Sequence, residues 1–325
     1  MDTLLNFQRT NALKAAIDLD LFTSIAEGAT TVDVLSTRLA ASPKGVRVLC
    51  DYLVINGFLL KSNFQYALTQ DSAVFLNRHS PAYMGSIANF LASPDLVRNF
   101  ENLADVVRKG GTLSDGGTVS YDNPIWVLFA RSMAPLMMPP AQRIAELIGA
   151  AEGKTMRVLD IAAGHGMFGI TIATQNPNAN ITALDWPHVL EVAEENAERA
   201  GVANRLTKLP GDAFQVPFGG PYDVVLITNF LHHFDIPTND AFMKKVHNCL
   251  MPGGVAVTLD MVPNDDRVTP PGAAGFAMVM LGSTPHGDAY TWAEYQGMFE
   301  RAGFARSEKY DVPGMPASVL LSHKS

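Results

Sequence analysis

Four short segments of this 325-residue chain place chemically capable residues at matching points of a repeating pattern. The first is Val158-Leu159-Asp160-Ile161-Ala162-Ala163-Gly164-His165-Gly166-Met167-Phe168-Gly169, an apolar run that ends in an acid, a glycine-rich turn and a new apolar run. That is a strand feeding a tight loop that opens a helix, where glycine lets the backbone approach a ligand and the first helical N–H groups are unpaired. Gly164, Gly166 and Gly169 spell G-x-G-x-x-G, which alone suggests a dinucleotide. Asp160 shifts the reading, because a carboxylate at the strand end suits a cationic or amino-bearing ligand better than a pyrophosphate. The second segment is Ala183-Leu184-Asp185-Trp186-Pro187, whose acid lies 25 residues after Asp160. An acid there accepts from both hydroxyls of a ribose, or caps a helix opened by Pro187. The third, Gly211-Asp212-Ala213-Phe214, offers an acceptor for an adenine amino group and a ring to stack on it. The fourth, Thr228-Asn229-Phe230-Leu231-His232-His233-Phe234, carries two adjacent imidazoles. Set at the carboxyl ends of successive parallel strands, the four segments face one crevice.

The elements that must hold these segments follow from periodicity. From residue 156 strands and helices alternate, with strands expected at 157–161, 181–184, 205–209, 223–228 and 255–260. This predicts an α/β domain with a parallel sheet covered by helices on both faces. The end differs: a strand at 305–311, the turn Pro313-Gly314-Met315-Pro316, then Val319-Leu320-Leu321-Ser322. A terminal antiparallel hairpin on a parallel sheet is foreign to the doubled dinucleotide fold. Residues 1–90 instead read as helix, helix, helix and hairpin, a winged-helix pattern. Its candidate recognition helix, 43–55, has only Lys44 and Arg47 as cations beside Asp51, which favours subunit pairing over DNA binding. Residues 91–150 read as linker helices, including a long stretch from Ile125 to Ile148 broken at Met138-Pro139-Pro140.

Composition narrows the function classes. With 47% hydrophobic and 17% charged residues a sizeable core can form. A net charge of -8 argues against a nucleic-acid partner. Cys50 and Cys249 read as buried thiols of a reducing compartment. No signal peptide and no apolar run of membrane-spanning length is present, so the expectation is a cytoplasmic protein with no membrane partner. No His/Cys cluster has zinc spacing, and the acidic pair Asp265-Asp266 reads as a solvated turn rather than a magnesium site, so no metal is expected.

The Asp-x-Ala-x-Gly-x-Gly order of the first segment resembles the first motif of class I S-adenosylmethionine-dependent methyltransferases. Taken whole, residues 1–325 resemble the small-molecule O-methyltransferase family that includes plant caffeate and isoflavone enzymes and bacterial phenazine, anthracycline and carotenoid enzymes. Its Gly-Asp-x-Phe element matches Gly211-Asp212-Ala213-Phe214, its Pro-Gly-Gly element matches Pro252-Gly253-Gly254, and its Thr-x-x-Glu-aromatic segment matches Thr291-Trp292-Ala293-Glu294-Tyr295. The family's Leu-His-Asp-Trp element stands here as Leu231-His232-His233-Phe234.

The resemblance implies a seven-stranded Rossmann-like catalytic domain over 151–325, a winged-helix dimerisation domain over 1–90 and a homodimer. It implies S-adenosylmethionine as donor and S-adenosylhomocysteine as product. Asp160, Ala162, Gly164, Gly166, Asp185, Trp186, Asp212, Ala213, Phe214, Thr228 and Asn229 would form the donor site. It makes His232 the general base, with His233 as the alternative, and Glu294 the carboxylate that orients it. The family's second such acid falls on Leu259, and whether the next residue, Asp260, replaces it is left open. Histidine, with a pKa near ~6.5, can serve as base toward a phenol near ~10, worth about 10²- to 10⁴-fold in rate. An aromatic or polyketide-like acceptor would sit among Phe129, Met133, Met137, Phe276 and Met280, which equally suit a helix core. Three rivals stand beside O-methylation: C- or N-methylation on the same scaffold, non-catalytic donor binding, and an NAD(P)-dependent oxidoreductase.

Overall fold

A computed structural model of the chain describes residues 2–325. The chain divides into two compact units between Val97 and Arg98. The first contains α1 (Asp2–Asp18), α2 (Leu21–Ala26), α3 (Val32–Arg38), α4 (Pro43–Ile55), the antiparallel hairpin of β1 (Leu59–Ser62) and β2 (Gln65–Leu68), α5 (Gln70–Phe75) and α6 (Ile87–Leu91). Helices α3 and α4 start where side chains satisfy orphan amides: Thr31 accepts from Val34 and Ser42 from Gly45. Leu21, Phe22, Leu35, Leu53, Leu59 and Tyr66 form its core. The left-handed backbone of Asp20 (φ 56) separates α1 from α2.

Helix α7 (Pro94–Arg98) runs across the division, and the segment read as a linker, 91–150, is grouped with the second unit from Arg98 onward. That unit contains α8 (Leu103–Lys109), α9 (Ile125–Leu147), β3 (Met156–Ile161), α10 (Met167–Gln175), β4 (Ala179–Asp185), α11 (Pro187–Arg199), β5 (Leu206–Pro210), β6 (Tyr222–Thr228), α12 (Ile236–Cys249) and β7 (Leu250–Met261). It closes with α13 (Pro271–Ala274), α14 (Phe276–Ser283), α15 (Trp292–Ala302), β8 (Arg306–Asp311) and β9 (Ala317–His323). The seven strands are ordered β5-β4-β3-β6-β7-β9-β8, parallel except for β9, which runs antiparallel to both β7 and β8. The order reverses between β3 and β6, and the acids and histidines of the sequence motifs sit at the carboxyl ends of β3, β4, β5 and β6.

The break expected at Met138-Pro139-Pro140 is absent: α9 is one helix with Pro135, Pro139 and Pro140 inside it. An internal proline costs about 3 kcal/mol of helix stability. Here the helix buries Ala130, Met133, Met137, Ala141 and Ile144 and packs on α10 and α11, so tertiary burial overrides local propensity.

Gly169 lies where α10 crosses the sheet. A Cβ there would stand 2.6 Å from Ile181 Cγ2 on β4 and 3.1 Å from Asp160 Oδ2. The third glycine of the motif is therefore a contact requirement between helix and strand. Gly169→Ala should lower the stability of this unit by about 1–3 kcal/mol through overpacking. A urea-unfolding midpoint equal to that of the unchanged chain would show that α10 moves away without cost.

Candidate active site

A cleft of about 230 Å³ lies over the carboxyl ends of the strands. Its walls are mostly apolar and rich in aromatic rings, with a few polar groups at fixed points, the composition of a small-molecule site. One side is the glycine-rich loop, where Ala162 and Gly164 reach the wall. Asp185 and Trp186 form the next side. The Asp185 carboxylate is held from behind by the Gly164 amide (2.8 Å) and the Trp186 amide (2.7 Å). Burial raises its pKa to about 6. Tyr121 meets Trp186 edge-on, with centroids 4.7 Å apart, at the mouth.

Gly211, Asp212, Ala213 and Phe214 form the third side. One cation fixes this turn from outside: the Lys245 ammonium on α12 donates to the carbonyls of Ala213 (2.8 Å), Phe214 (3.1 Å) and Val216 (2.7 Å). It also lies 4.0 Å from the centroid of the Phe218 ring. Nothing in the local sequence announces Lys245, whose turn is 29 to 32 residues away.

The fourth side is the segment after β6. Asn239 on α12 donates to the carbonyls of Leu231 (2.9 Å) and Phe234 (3.2 Å), and Tyr290 donates to Phe234 (2.5 Å). The two histidines are thereby fixed. His232 Nδ1 lies 2.6 Å from Asp260 Oδ1 at the end of β7, and its Nε2 lies 3.2 Å from Nε2 of His233. The Asp260 carboxylate also accepts from the Tyr295 hydroxyl (2.7 Å) and the Met261 amide (2.8 Å). Burial and the neighbouring carboxylate push the Tyr295 hydroxyl far above the usual tyrosine range, so it stays a donor. His233 lines the cleft, and Trp126 packs edge-on against its ring with centroids 5.2 Å apart.

The structure brings some expected residues together and sets others apart. Glu294 does not meet His232. Its carboxylate accepts from the Thr291 amide (2.8 Å) in a capping box at the start of α15 and pairs with Arg267 at 2.5 Å. The acid on His232 is Asp260, because β7 pairs with β6 in a register that carries its end beside the histidine segment. Asp160 is fully buried and off the cleft wall; its Oδ2 accepts from the Gly169 amide (3.1 Å), and burial raises its pKa to about 8. Gly166 opens α10 in a left-handed conformation (φ 72), also off the wall. His165 shapes the loop: its Nδ1 accepts from the Met167 amide, its ring stacks on Phe129, and burial lowers its pKa to about 4. Thr228 and Asn229 are off the wall, Asn229 donating to Met137 Sδ at 3.7 Å.

Of the expected acceptor residues, Phe129 lines the cleft and Phe276 meets the His232 ring edge-on at 4.8 Å. Met133, Met137 and Met280 are buried in their helices. Trp126, Phe230 and Phe234 are wall residues that sequence reasoning did not assign. Asp266 accepts from Val268 and Thr269 in its own turn, and among the described residues no three His, Cys, Asp or Glu side chains group as a metal-ligand set.

Sheet order, glycine loop, strand-end acids and a buried histidine–carboxylate pair define a class I methyltransferase. The chain belongs to the O-methyltransferase family, enzymes that use S-adenosylmethionine. The family's O-methyltransferase domain model matches residues 143–305 and its O-methyltransferase dimerisation domain model matches residues 1–78. A candidate O-methyltransferase from Nostoc punctiforme PCC 73102 is 47% identical, with 99% of this chain and 98% of that chain covered and a TM-score of 0.95. The 3-hydroxy-5-methyl-1-naphthoate 3-O-methyltransferase of Streptomyces sahachiroi is 26% identical over 94% of this chain and 89% of its own length. Human N-acetylserotonin methyltransferase, solved in complex with S-adenosylmethionine, shares the fold at 20% identity and a TM-score of 0.87, with 100% and 96% covered.

We propose that this wall takes the donor. The Asp185 carboxylate is a ready acceptor for ribose hydroxyls, and Asp212 with Phe214 suits an adenine edge and face. Two outcomes follow. Lys245→Met should raise the Kd for S-adenosylhomocysteine about tenfold, measured calorimetrically, because three carbonyls lose their common donor and the Asp212 turn loosens; an unchanged Kd would show the turn to be rigid without it. Asp185 accepts ribose hydroxyls best when ionised, and its pKa of about 6 is raised. Affinity for S-adenosylhomocysteine should therefore fall as the pH drops from about 7.5 to about 5. In Asp185→Asn the affinity should be lower and its slope lost.

Proposed function

We propose that this protein methylates a phenolic or enolic hydroxyl of an aromatic small molecule, using His232, held by Asp260, as the store for the acceptor's proton. The observation that carries the reading is the 2.6 Å contact between His232 Nδ1 and a fully buried carboxylate that two further donors stabilise. An ionised acid at Nδ1 fixes the ring tautomer with Nε2 bare and favours the imidazolium once a proton arrives. When bound, S-adenosylmethionine supplies an already activated methyl group, so the chain must align the acceptor oxygen and remove its proton. Alignment is the larger contribution, up to roughly 7–11 kcal/mol, and general-base action adds about 10²- to 10⁴-fold.

The acceptor class follows from the wall. Trp126, Phe129, Phe230 and Phe234 are apolar rings of the wall, and Trp126 and Phe234 pack edge-on against His233. A planar ring bearing a hydroxyl suits them. The relative from Streptomyces sahachiroi, which methylates a hydroxynaphthoate, belongs to the same substrate class.

The test is methyl transfer from labelled S-adenosylmethionine to a panel of hydroxynaphthoates, hydroxyindoles and hydroxyanthraquinones. Activity on at least one is expected. His232→Ala and Asp260→Asn should each lower kcat by about 10²- to 10⁴-fold, whereas Glu294→Gln should stay within a few-fold. A severe loss in Glu294→Gln with Asp260→Asn spared would overturn the assignment of the orienting acid.

We also propose a homodimer through the first unit. Leu4 and Phe7 on α1 are 76% and 61% exposed in the isolated chain, apolar surface that a second copy would cover. Light scattering should give a dimer for the native chain and a monomer for Leu4→Glu/Phe7→Glu; an unchanged mass would place the interface elsewhere.

A further inference from the structure

One side of the cleft mouth is a strap of chain between α8 and α9. Val119, Ser120 and Tyr121 of this strap line the cleft together with Asp185 and Trp186. The Tyr121 ring is 81% exposed in the isolated chain and meets Trp186 by an edge. A large ring left open over a small-molecule cleft gains cover when a ligand enters.

The strap is fixed at its base. Thr118 is gripped through both of its oxygens: its carbonyl accepts from the Trp126 indole N–H (2.9 Å), and its hydroxyl donates to the Ser283 carbonyl at the end of α14 (3.2 Å). Gly117, with a left-handed backbone (φ 54), passes so close to α14 that a Cβ there would collide with the Ser283 carbonyl oxygen. The Asn123 side-chain amide closes the loop, donating to the Gly117 carbonyl (3.0 Å) and the Ser120 hydroxyl (3.1 Å). Trp126 is itself braced. It lies in the first turn of α9, and its ring meets Phe129 and His233 edge-on, with centroids 5.8 and 5.2 Å apart. It also packs on the cluster of Ala130, Val189 and Val192 that seats Trp186. The ring at the strap's base and the ring facing its tip therefore share one apolar support.

We propose that Trp126 is a positioning residue for the donor: its indole N–H holds the 117–122 strap at the height where Ser120 and Tyr121 close the cleft opposite Asp185 and Trp186. This rests on the reading that the cleft takes S-adenosylmethionine. The indole does two jobs with separate atoms. Its ring belongs to the wall, and its nitrogen sets the strap. Removing the nitrogen while keeping a ring isolates the second job.

The test is calorimetric titration of the full chain with S-adenosylhomocysteine. Trp126→Phe keeps an aromatic ring and loses the N–H, and Kd should rise about three- to tenfold, the effect of one hydrogen bond. Gly117→Ala leaves Trp126 in place but lifts the strap from α14, and it should weaken binding in the same direction. Amide hydrogen exchange across 117–124 should slow when S-adenosylhomocysteine binds the unchanged chain, and slow less in Trp126→Phe. In the methyl-transfer assay the loss in Trp126→Phe should fall more on the KM for S-adenosylmethionine than on kcat. A residue that only packed the fold would lower the melting temperature and leave Kd and KM in place. An unchanged Kd in Trp126→Phe would overturn the role of the indole nitrogen. Exchange across 117–124 that ignores the ligand would overturn closure by the strap. Failure of the unchanged chain to bind S-adenosylhomocysteine would instead overturn the donor reading, and this proposal with it.

Discussion

A carboxylate enclosed entirely by protein must find its solvation among fixed groups, and Asp260 finds it in one imidazole, one phenol and one backbone amide. Each of the three donors comes from a different part of the chain: His232 from the segment after β6, Tyr295 from α15, and Met261 from β7 itself. The carboxylate has all three donors only when these elements are assembled. Conversely, the elements are held in register by it: Tyr295 is fully buried, stacks on Phe299 and ties α15 to the sheet beneath. Histidine orientation and the docking of α15 thus meet at one carboxylate.

The donor side of the cleft uses acids differently. Asp160 and Asp185 end adjacent parallel strands and both have raised pKa values, yet only Asp185 reaches the wall. Asp160 spends an oxygen on the Gly169 amide and so fastens the first turns of α10 to β3. Asp185 accepts two backbone amides along one edge, which holds it without neutralising it and leaves lone pairs for a ligand. Local amides set the position of both acids; the chain packed above decides which one a ligand can touch.

The parts legible in sequence were those set by local pattern. Strand ends, the glycine turn and the Asp185 and Gly211–Phe214 segments follow from periodicity and from residue types within a few positions of one another, and they stand on one wall. What was not legible depends on contacts distant in sequence. Asp260 meets His232 across 28 residues and Tyr295 across 35, through strand pairing that no local pattern reports. Glu294 carries two local signals at once, a family motif and the N3 position of a capping box, and the capping role claims its carboxylate. Pro139 and Pro140 announce a helix break that packing against α10 cancels. Lys245 had no signal, since a lysine on a helix face is ordinarily solvated until a turn of carbonyls is folded over it.

The apolar character of the cleft has its own consequence for the chemistry. Joining a sulfonium and a phenolate converts two charges into neutral products, and such a step is favoured where water is excluded. Trp126, Phe129, Phe214, Phe230 and Phe234 supply that exclusion. A dry wall, however, also opposes ionisation of the acceptor, so the proton must leave the cleft at the moment the oxygen needs its charge. A single exposed imidazole would leave a cation facing the sulfonium. In the reaction proposed above, a proton received by His232, which already touches a carboxylate, would set positive charge against negative charge. That pairing is how an aromatic, water-poor cleft would serve a weakly acidic hydroxyl.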